Sequence, residues 1–182
     1  MKKVTFITGN QNKADYLAKF LNHPIDHRKI DLDEIQSSDL KEIIEHKVRE
    51  AYKKIKKPVI VEDVSLEFKA LGGLPGPFIR FFVDNMSLQS ICSLLNGKDR
   101  TAMAKCAIGY FDGTTLKIFE KEAKGKIVKK PSGKNGWDWD KIFIHDGHAV
   151  TRASLDDIGY QKAYSMMKPL AKLKKFFKDN NL

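Results

Sequence analysis

Glu62 and Asp63 directly follow the apolar run Val59-Ile60-Val61. Carboxylates placed where a buried strand ends can hold a hard cation such as Mg2+ through oxygen, or take a proton from water. The same pair also suits a solvated acidic turn or a helix cap. A second group, Thr8-Gly9-Asn10-Gln11-Asn12-Lys13, lies between a short apolar run and the first helical periodicity. Backbone N–H groups at a helix N-terminus attract anions, Gly9 permits close approach, and Thr8, Asn10 and Lys13 supply donors for phosphate oxygens. Ordinary turn and cap residues have this composition too. No Gly-Lys-Ser/Thr follows at the spacing of a Walker loop.

Lys47 interrupts an apolar stripe formed by Leu40, Ile43, Ile44, Val48, Ala51 and Ile55. At helical spacing it faces the side that should be buried. Either it finds an anionic partner there, or its stem lies along the stripe edge and the ammonium reaches water. If Lys13 and Lys47 both meet Glu62 and Asp63, the site balances charge as phosphoryl chemistry requires. Gly136-Trp137-Asp138 offers an indole for stacking on a base and a carboxylate for base N–H groups, although a tryptophan can equally be core. His23, His27, His46, His145 and His148 lack His-Glu-x-x-His spacing, and no Gly-x-Ser-x-Gly elbow is present.

These groups need a scaffold of strands and helices. Val4 to Ile7 reads as a buried strand, followed after the Gly9 turn by a helix carrying Ala14, Leu17, Phe20 and Leu21. Asp39 and Glu42 have the spacing of a helix-start box for the second helix. Val59 to Val61 is predicted as a strand that stops at Glu62 and Asp63. Leu71 to Pro77, with its glycines and prolines, is predicted as a loop without ladder or helix. Phe78 to Leu95 is predicted as one helix with Phe81, Phe82, Met86, Ile91, Leu94 and Leu95 in the core. Asp112-Gly113 joins Thr101–Phe111 and Thr114–Phe119 as a hairpin. Lys124 to Val128 and Ile142 to Ile144 add strands, and a long basic helix is expected from Ile158 onward.

The chain has 182 residues, a net charge of +10 and 42% hydrophobic residues. That length suits one domain over 1–182, or two lobes sharing a core. No apolar stretch has the length of a membrane span, and no early run resembles a signal peptide, so a cytoplasmic protein with no membrane partner is expected. Cys92 and Cys106 are expected to be reduced, packed thiols. The positive charge calls for an anionic partner, with nucleotide, nucleic acid and acidic membrane as candidates.

Taken in order, the motifs resemble the inosine triphosphate pyrophosphatase family, whose members split deaminated purine triphosphates such as ITP, dITP and XTP into monophosphate and pyrophosphate. The resemblance rests on Thr8-Gly9-Asn10-x-x-Lys13, Asp31-Leu32-x-Glu34-Ile35-Gln36, Lys47, and Val61-Glu62-Asp63-x-x-Leu66. It continues through Ala70-Leu71-Gly72-Gly73-Leu74-Pro75-Gly76-Pro77-Phe78-Ile79 and Gly136-Trp137-Asp138. It implies an α/β fold with a mixed long central sheet, flanking helices and two lobes around a nucleotide cleft, within a homodimer. On that resemblance Thr8, Gly9, Asn10, Lys13 and Lys47 contact the triphosphate and Glu34 and Glu62 help hold Mg2+. Asp63 activates the attacking water and also belongs to the metal set, while Gly136, Trp137 and Asp138 face the base.

The chain departs from the family pattern at three places. Tyr16 stands where a glutamate follows the motif lysine, Asn135 where an aromatic precedes Gly-Trp-Asp, and Ser165-Met166-Met167 where Ser-His-Arg reads the 6-oxo group. These changes imply an altered base preference. They also motivate an alternative, a nucleotide-binding sensor without turnover on the same scaffold. A nucleic-acid binder using the basic tail is the third reading, although aromatic residues for base stacking are sparse there.

Overall fold

Val59, Val61 and Asp63 share one face of a strand, and Ile60 and Glu62 share the other, because successive side chains alternate. That alternation organises the first part of the molecule. The computed structural model describes residues 4–21 and 25–182, with Asn12 described by its backbone alone. His23 lies outside the described residues.

Strand β1 (Thr5–Ile7) is buried throughout and pairs in parallel with β2 (Asp26–Arg28) and β3 (Val59–Phe68). Parallel strands are covered on both faces, which explains the uninterrupted apolar runs at Phe6-Ile7 and Val59–Val61. Helix α1 (Gln11–Leu21) connects β1 to β2, and α2 (Leu40–Ile55) precedes β3. Leu40, Ile44, Val48 and Ala51 of α2 pack with Ile7, Val59, Val61 and Ala107 in one buried cluster. The cap of α2 differs from the expected box. Asp39 accepts from the Lys41 N–H at 2.8 Å, whereas Glu42 accepts from the Ser37 hydroxyl at 2.7 Å.

The remaining strands are β4 (Pro75–Gly76), β5 (Thr101–Phe111), β6 (Leu116–Ile127) and β7 (Phe143–His145). The result is a mixed sheet of seven strands in the order β2-β1-β3-β5-β6-β7, with β4 paired to β3. The flanking helices also include α3 (Ile79–Asn85), α4 (Leu88–Ser93), α5 (Asp157–Met166) and α6 (Leu170–Asp179).

Four further expectations are corrected. β3 does not stop at Glu62 and Asp63 but continues to Phe68, because Ser65, Leu66 and Phe68 are buried. The Gly/Pro segment does form a ladder, with Leu66 opposite Gly76 and Glu67 opposite Pro75. The single helix from Phe78 is two, since the Ser87 side chain caps a new start by accepting from the Ser90 N–H. Ile79, Ile91, Cys92 and Leu95 are buried there, while Phe81 is 60% exposed. The long C-terminal helix is divided, with α6 starting after Pro169, which lacks the N–H needed to continue α5.

The described chain forms two compact units, one from Met1–Asp63, Ala107–Glu120 and Pro169–Leu182, the other from Val64–Cys106 and Lys121–Lys168. In the first, Phe176 of α6 packs against Tyr110 and Phe119. Its hairpin turn uses Asp112, which accepts from the N–H groups of Thr114 and Thr115, and Gly113 at φ +99°, where a methyl would collide with Tyr52. In the second, Arg100 donates to the carbonyls of Cys92, Leu95, Ile127 and Val128, tying α4 to the end of β6. Cys92 and Cys106 are free and buried.

Candidate active site

The first unit gathers the charged residues that the sequence singled out. At the turn after β1, the Thr8 hydroxyl accepts from the Asn10 N–H at 3.1 Å, and the Asn10 side chain accepts from the Lys13 N–H at 3.3 Å. Asn10 thus fixes the start of α1, as a helix-capping asparagine does. A methyl on Gly9 would meet only the Lys29 stem, at 3.8 Å. Nothing in the protein demands glycine at this point, and the backbone stays open to close approach by a ligand. Lys29 adds a cation beside this turn that sequence reasoning missed. It follows the short strand β2 and is exposed, so no apolar periodicity marks it.

Alternation on β3 sends the two carboxylates in opposite directions. Glu62, following Ile60, meets Lys13 of α1 at 3.2 Å and is nearly fully buried. Asp63, following Val61, faces α2 and meets Lys47 at 3.0 Å. Lys47 also holds Glu34 at 2.7 Å. The polar intruder in the α2 stripe therefore has anionic partners rather than an escape to water. Burial works against its charge, but Asp63 and Glu34 outweigh that penalty and hold its pKa above the ordinary lysine value.

Oxygen-only carboxylates suit a hard divalent cation, and Glu34 with Asp63 already share a single positive charge. Among the described residues no group of three or more His, Cys, Asp or Glu side chains converges to hold an ion. Carboxylate oxygens of this kind fit a hard divalent cation that takes its remaining ligands from other oxygens. Asp15, beside Tyr16, accepts from Gln11 at 2.7 Å on the exposed side of α1.

The second unit contains Gly136, Trp137 and Asp138. Gly136 lies at φ +72°, where an added methyl would strike the Asp140 carboxylate and the Tyr160 ring. Trp137 is half-buried and meets Tyr164 and Tyr160 edge-on, with ring centres 5.3 and 6.3 Å away. Asp138 adopts φ +51°, a left-handed conformation uncommon outside glycine, and stands 3.9 Å from the Arg80 guanidinium. Asn135 donates to the Leu155 carbonyl at 2.6 Å. Met167 is buried and its sulfur accepts from Arg152 at 2.8 Å, whereas Met166 is more exposed. Burial and the adjacent Asp140 push the Tyr160 phenol well above its ordinary pKa, which keeps it a hydrogen-bond donor.

The model of the Ham1 family matches residues 4–176. This chain belongs to the Ham1 family. It is 38% identical over 182 residues to a curated protein named inosine triphosphate pyrophosphatase from Fusarium vanettenii, covering 97% of each chain. It is also 38% identical over 180 residues to one named inosine triphosphate pyrophosphatase 2 from Trypanosoma cruzi, covering 96% of this chain and 92% of the relative. Among solved structures, a Staphylococcus aureus Ham1 protein superposes with a TM-score of 0.81 at 25% identity, covering 98% of this chain and all of that one. A Coxiella burnetii HAM1 protein shares the fold with a TM-score of 0.83 at 24% identity and the same coverage. The Ham1 assignment agrees with the mixed α/β sheet.

Proposed function

We propose that this Ham1-family protein hydrolyses a nucleoside triphosphate to the monophosphate and pyrophosphate. The observation that carries the reading is Lys47, largely withdrawn from solvent and bridging Glu34 and Asp63, in a chain whose relatives are named inosine triphosphate pyrophosphatases. In the reaction, water adds to phosphorus and the anhydride bond between the α- and β-phosphoryl groups breaks. Asp63 accepts the water proton, and the electron pair of the broken bond leaves on the bridging oxygen with pyrophosphate. Thr8, Gly9, Asn10 and Lys13 bind phosphate oxygens, and Lys47 offsets charge that develops on them.

Glu34, Glu62 and Asp63 are assigned to Mg2+. When bound, the ion neutralises phosphate charge and orients the anhydride. Of the three, Glu34 and Asp63 are the pair already sharing a cation, while Glu62 fixes Lys13. In the second unit Trp137 stacks on the base, Asp138 accepts from base N–H groups, and Gly136 lets the loop lie close to its support. A deaminated purine, hypoxanthine or xanthine, is the assigned base. The discrimination against ordinary bases is weaker than a Ser-His-Arg reader would give, because Met167 offers no donor and Arg152 is committed elsewhere.

A homodimer is part of this reading, and Leu74 and Phe81, exposed at 54% and 60%, supply apolar surface for it. A cytoplasmic location fits the free cysteines, and no helix among the described residues is long and apolar enough to cross a membrane. The test is pyrophosphate release with Mg2+ across ITP, dITP, XTP and the ordinary nucleoside triphosphates. Release from deaminated purines, with a modest margin over ATP and GTP, is expected. Binding of nucleotides without release from any of them would instead establish a sensor.

A further inference from the structure

Asp140 is 2% exposed, and its carboxylate collects donors from three separate segments. One oxygen accepts from the Trp137 backbone N–H at 3.1 Å and the Tyr160 hydroxyl at 2.7 Å. The other accepts from Arg152 Nε at 2.8 Å and from Arg152 Nη2. Arg152 is equally buried, lies 4.7 Å over the Trp139 ring and 5.4 Å from the Tyr164 ring centre, and uses Nη1 on the Met167 sulfur.

A buried ion pair contributes little net stability over well-packed apolar residues, because desolvating both charges offsets their attraction. What such a network does supply is a fixed arrangement of the groups bonded to it. Here the group at its outer edge is Trp137. The backbone of that residue is bonded to Asp140, the preceding Gly136 allows contact with Asp140 and Tyr160, and the indole stands edge-on to Tyr160 and Tyr164. Those two tyrosines stack on each other at 6.0 Å with an interplanar angle of 19°.

We propose that Tyr160, Asp140 and Arg152 are positioning residues that hold the Trp137 indole as a rigid stacking platform for the nucleobase. This inference rests on the base-facing role given to Trp137 above. A preorganised platform raises affinity by removing the ordering cost at binding. Stacking also accepts any flat base, so the network governs how tightly a nucleotide binds rather than which base is chosen.

The test is Tyr160→Phe, which deletes one hydroxyl and keeps the ring, with Asp140→Asn as a second variant that keeps the side-chain shape. Michaelis constants and kcat for ITP are measured beside inhibition by inorganic tripolyphosphate, which has no base, and beside quenching of tryptophan fluorescence by IMP. In each variant the KM for ITP should rise about tenfold with kcat nearly unchanged, the signature of lost uniform binding. Tripolyphosphate inhibition should stay constant, and IMP quenching should need correspondingly more nucleotide. The proposal is overturned if Trp137→Ala raises KM while both variants leave it alone. It is also overturned if ITP and tripolyphosphate weaken together, which is general structural damage. An unchanged KM in Trp137→Ala would instead refute the base-facing role itself, and the positioning role would go with it.

Discussion

Lys47 in α2 donates a 3.0 Å hydrogen bond to Asp63 in β3, across 16 residues of sequence, from a position inside the apolar stripe of its helix. The stripe and the strand face share one periodic logic. Leu40, Ile44, Val48 and Ala51 cover Val59 and Val61, and Lys47, between Ile44 and Val48, meets Asp63, the next residue on that face of β3.

Removing the cation should expose how much the two acids depend on it. Lys47→Met leaves Glu34 and the partly exposed Asp63 without their shared partner, so a loss of about 1 kcal/mol in unfolding free energy is expected, with catalysis falling at least a hundredfold. Urea unfolding and steady-state rates measure the two effects. Because the folded pKa of Lys47 is raised, its contribution is complete below the ordinary lysine value of 10.5 and fades only as pH climbs through the folded value. Wild-type and Lys47→Met stability curves should therefore stay parallel from neutral pH to about pH 10.

His145 gives the opposite pH behaviour. Both of its ring nitrogens are buried without a hydrogen-bond partner, and burial, with Arg152 and His148 nearby, depresses its pKa from 6.5 to about 3. A depressed folded pKa means full stability above 6.5 and a progressive loss as pH falls toward 3, amounting to about 3 kcal/mol between pH 6.5 and 4. His145→Phe should flatten that acid limb in thermal melts recorded across this range. An unchanged limb would show that other groups set acid stability.

Gly136 is expected to tolerate no side chain. Gly136→Ala combines a left-handed backbone with a collision against Asp140 and Tyr160, and a destabilisation of about 2–3 kcal/mol by urea unfolding is expected. Gly9→Ala, which meets only the Lys29 stem, should leave stability within about 0.5 kcal/mol. Its effect should appear instead as weaker triphosphate binding, read by titration calorimetry.

Much of this arrangement is legible in the sequence. The stripe of α2 was visible from its spacing, and Lys47 stood out because it broke that spacing. The continuation of β3 was not visible, because Glu62 and Asp63 look like a strand's end to hydropathy alone. Their partners Lys13 and Lys47 come from helices distant in sequence and let the pair remain inside the strand. The exposure of Phe81 is not legible, because apolarity does not say which face of a short helix is covered, whereas the break at Pro169 follows from its missing N–H. Of the candidate site, Gly136, Trp137 and Asp138 could be named from their motif. The Asp140–Arg152–Tyr160 network joins residues 12 and 20 positions apart through no periodic pattern, and its charged members look like surface residues in the sequence.

In the proposed hydrolysis, Asp63 takes the proton of the attacking water. This role is tested most directly by kcat for pyrophosphate release from ITP, at saturating Mg2+, in wild type and Asp63→Asn with matched thermal melting. Asparagine keeps the shape and a hydrogen-bond acceptor but cannot take the proton, so kcat should fall by about 10²–10⁴-fold with nucleotide binding retained. Turnover by Asp63→Asn at the wild-type rate would contradict the assignment.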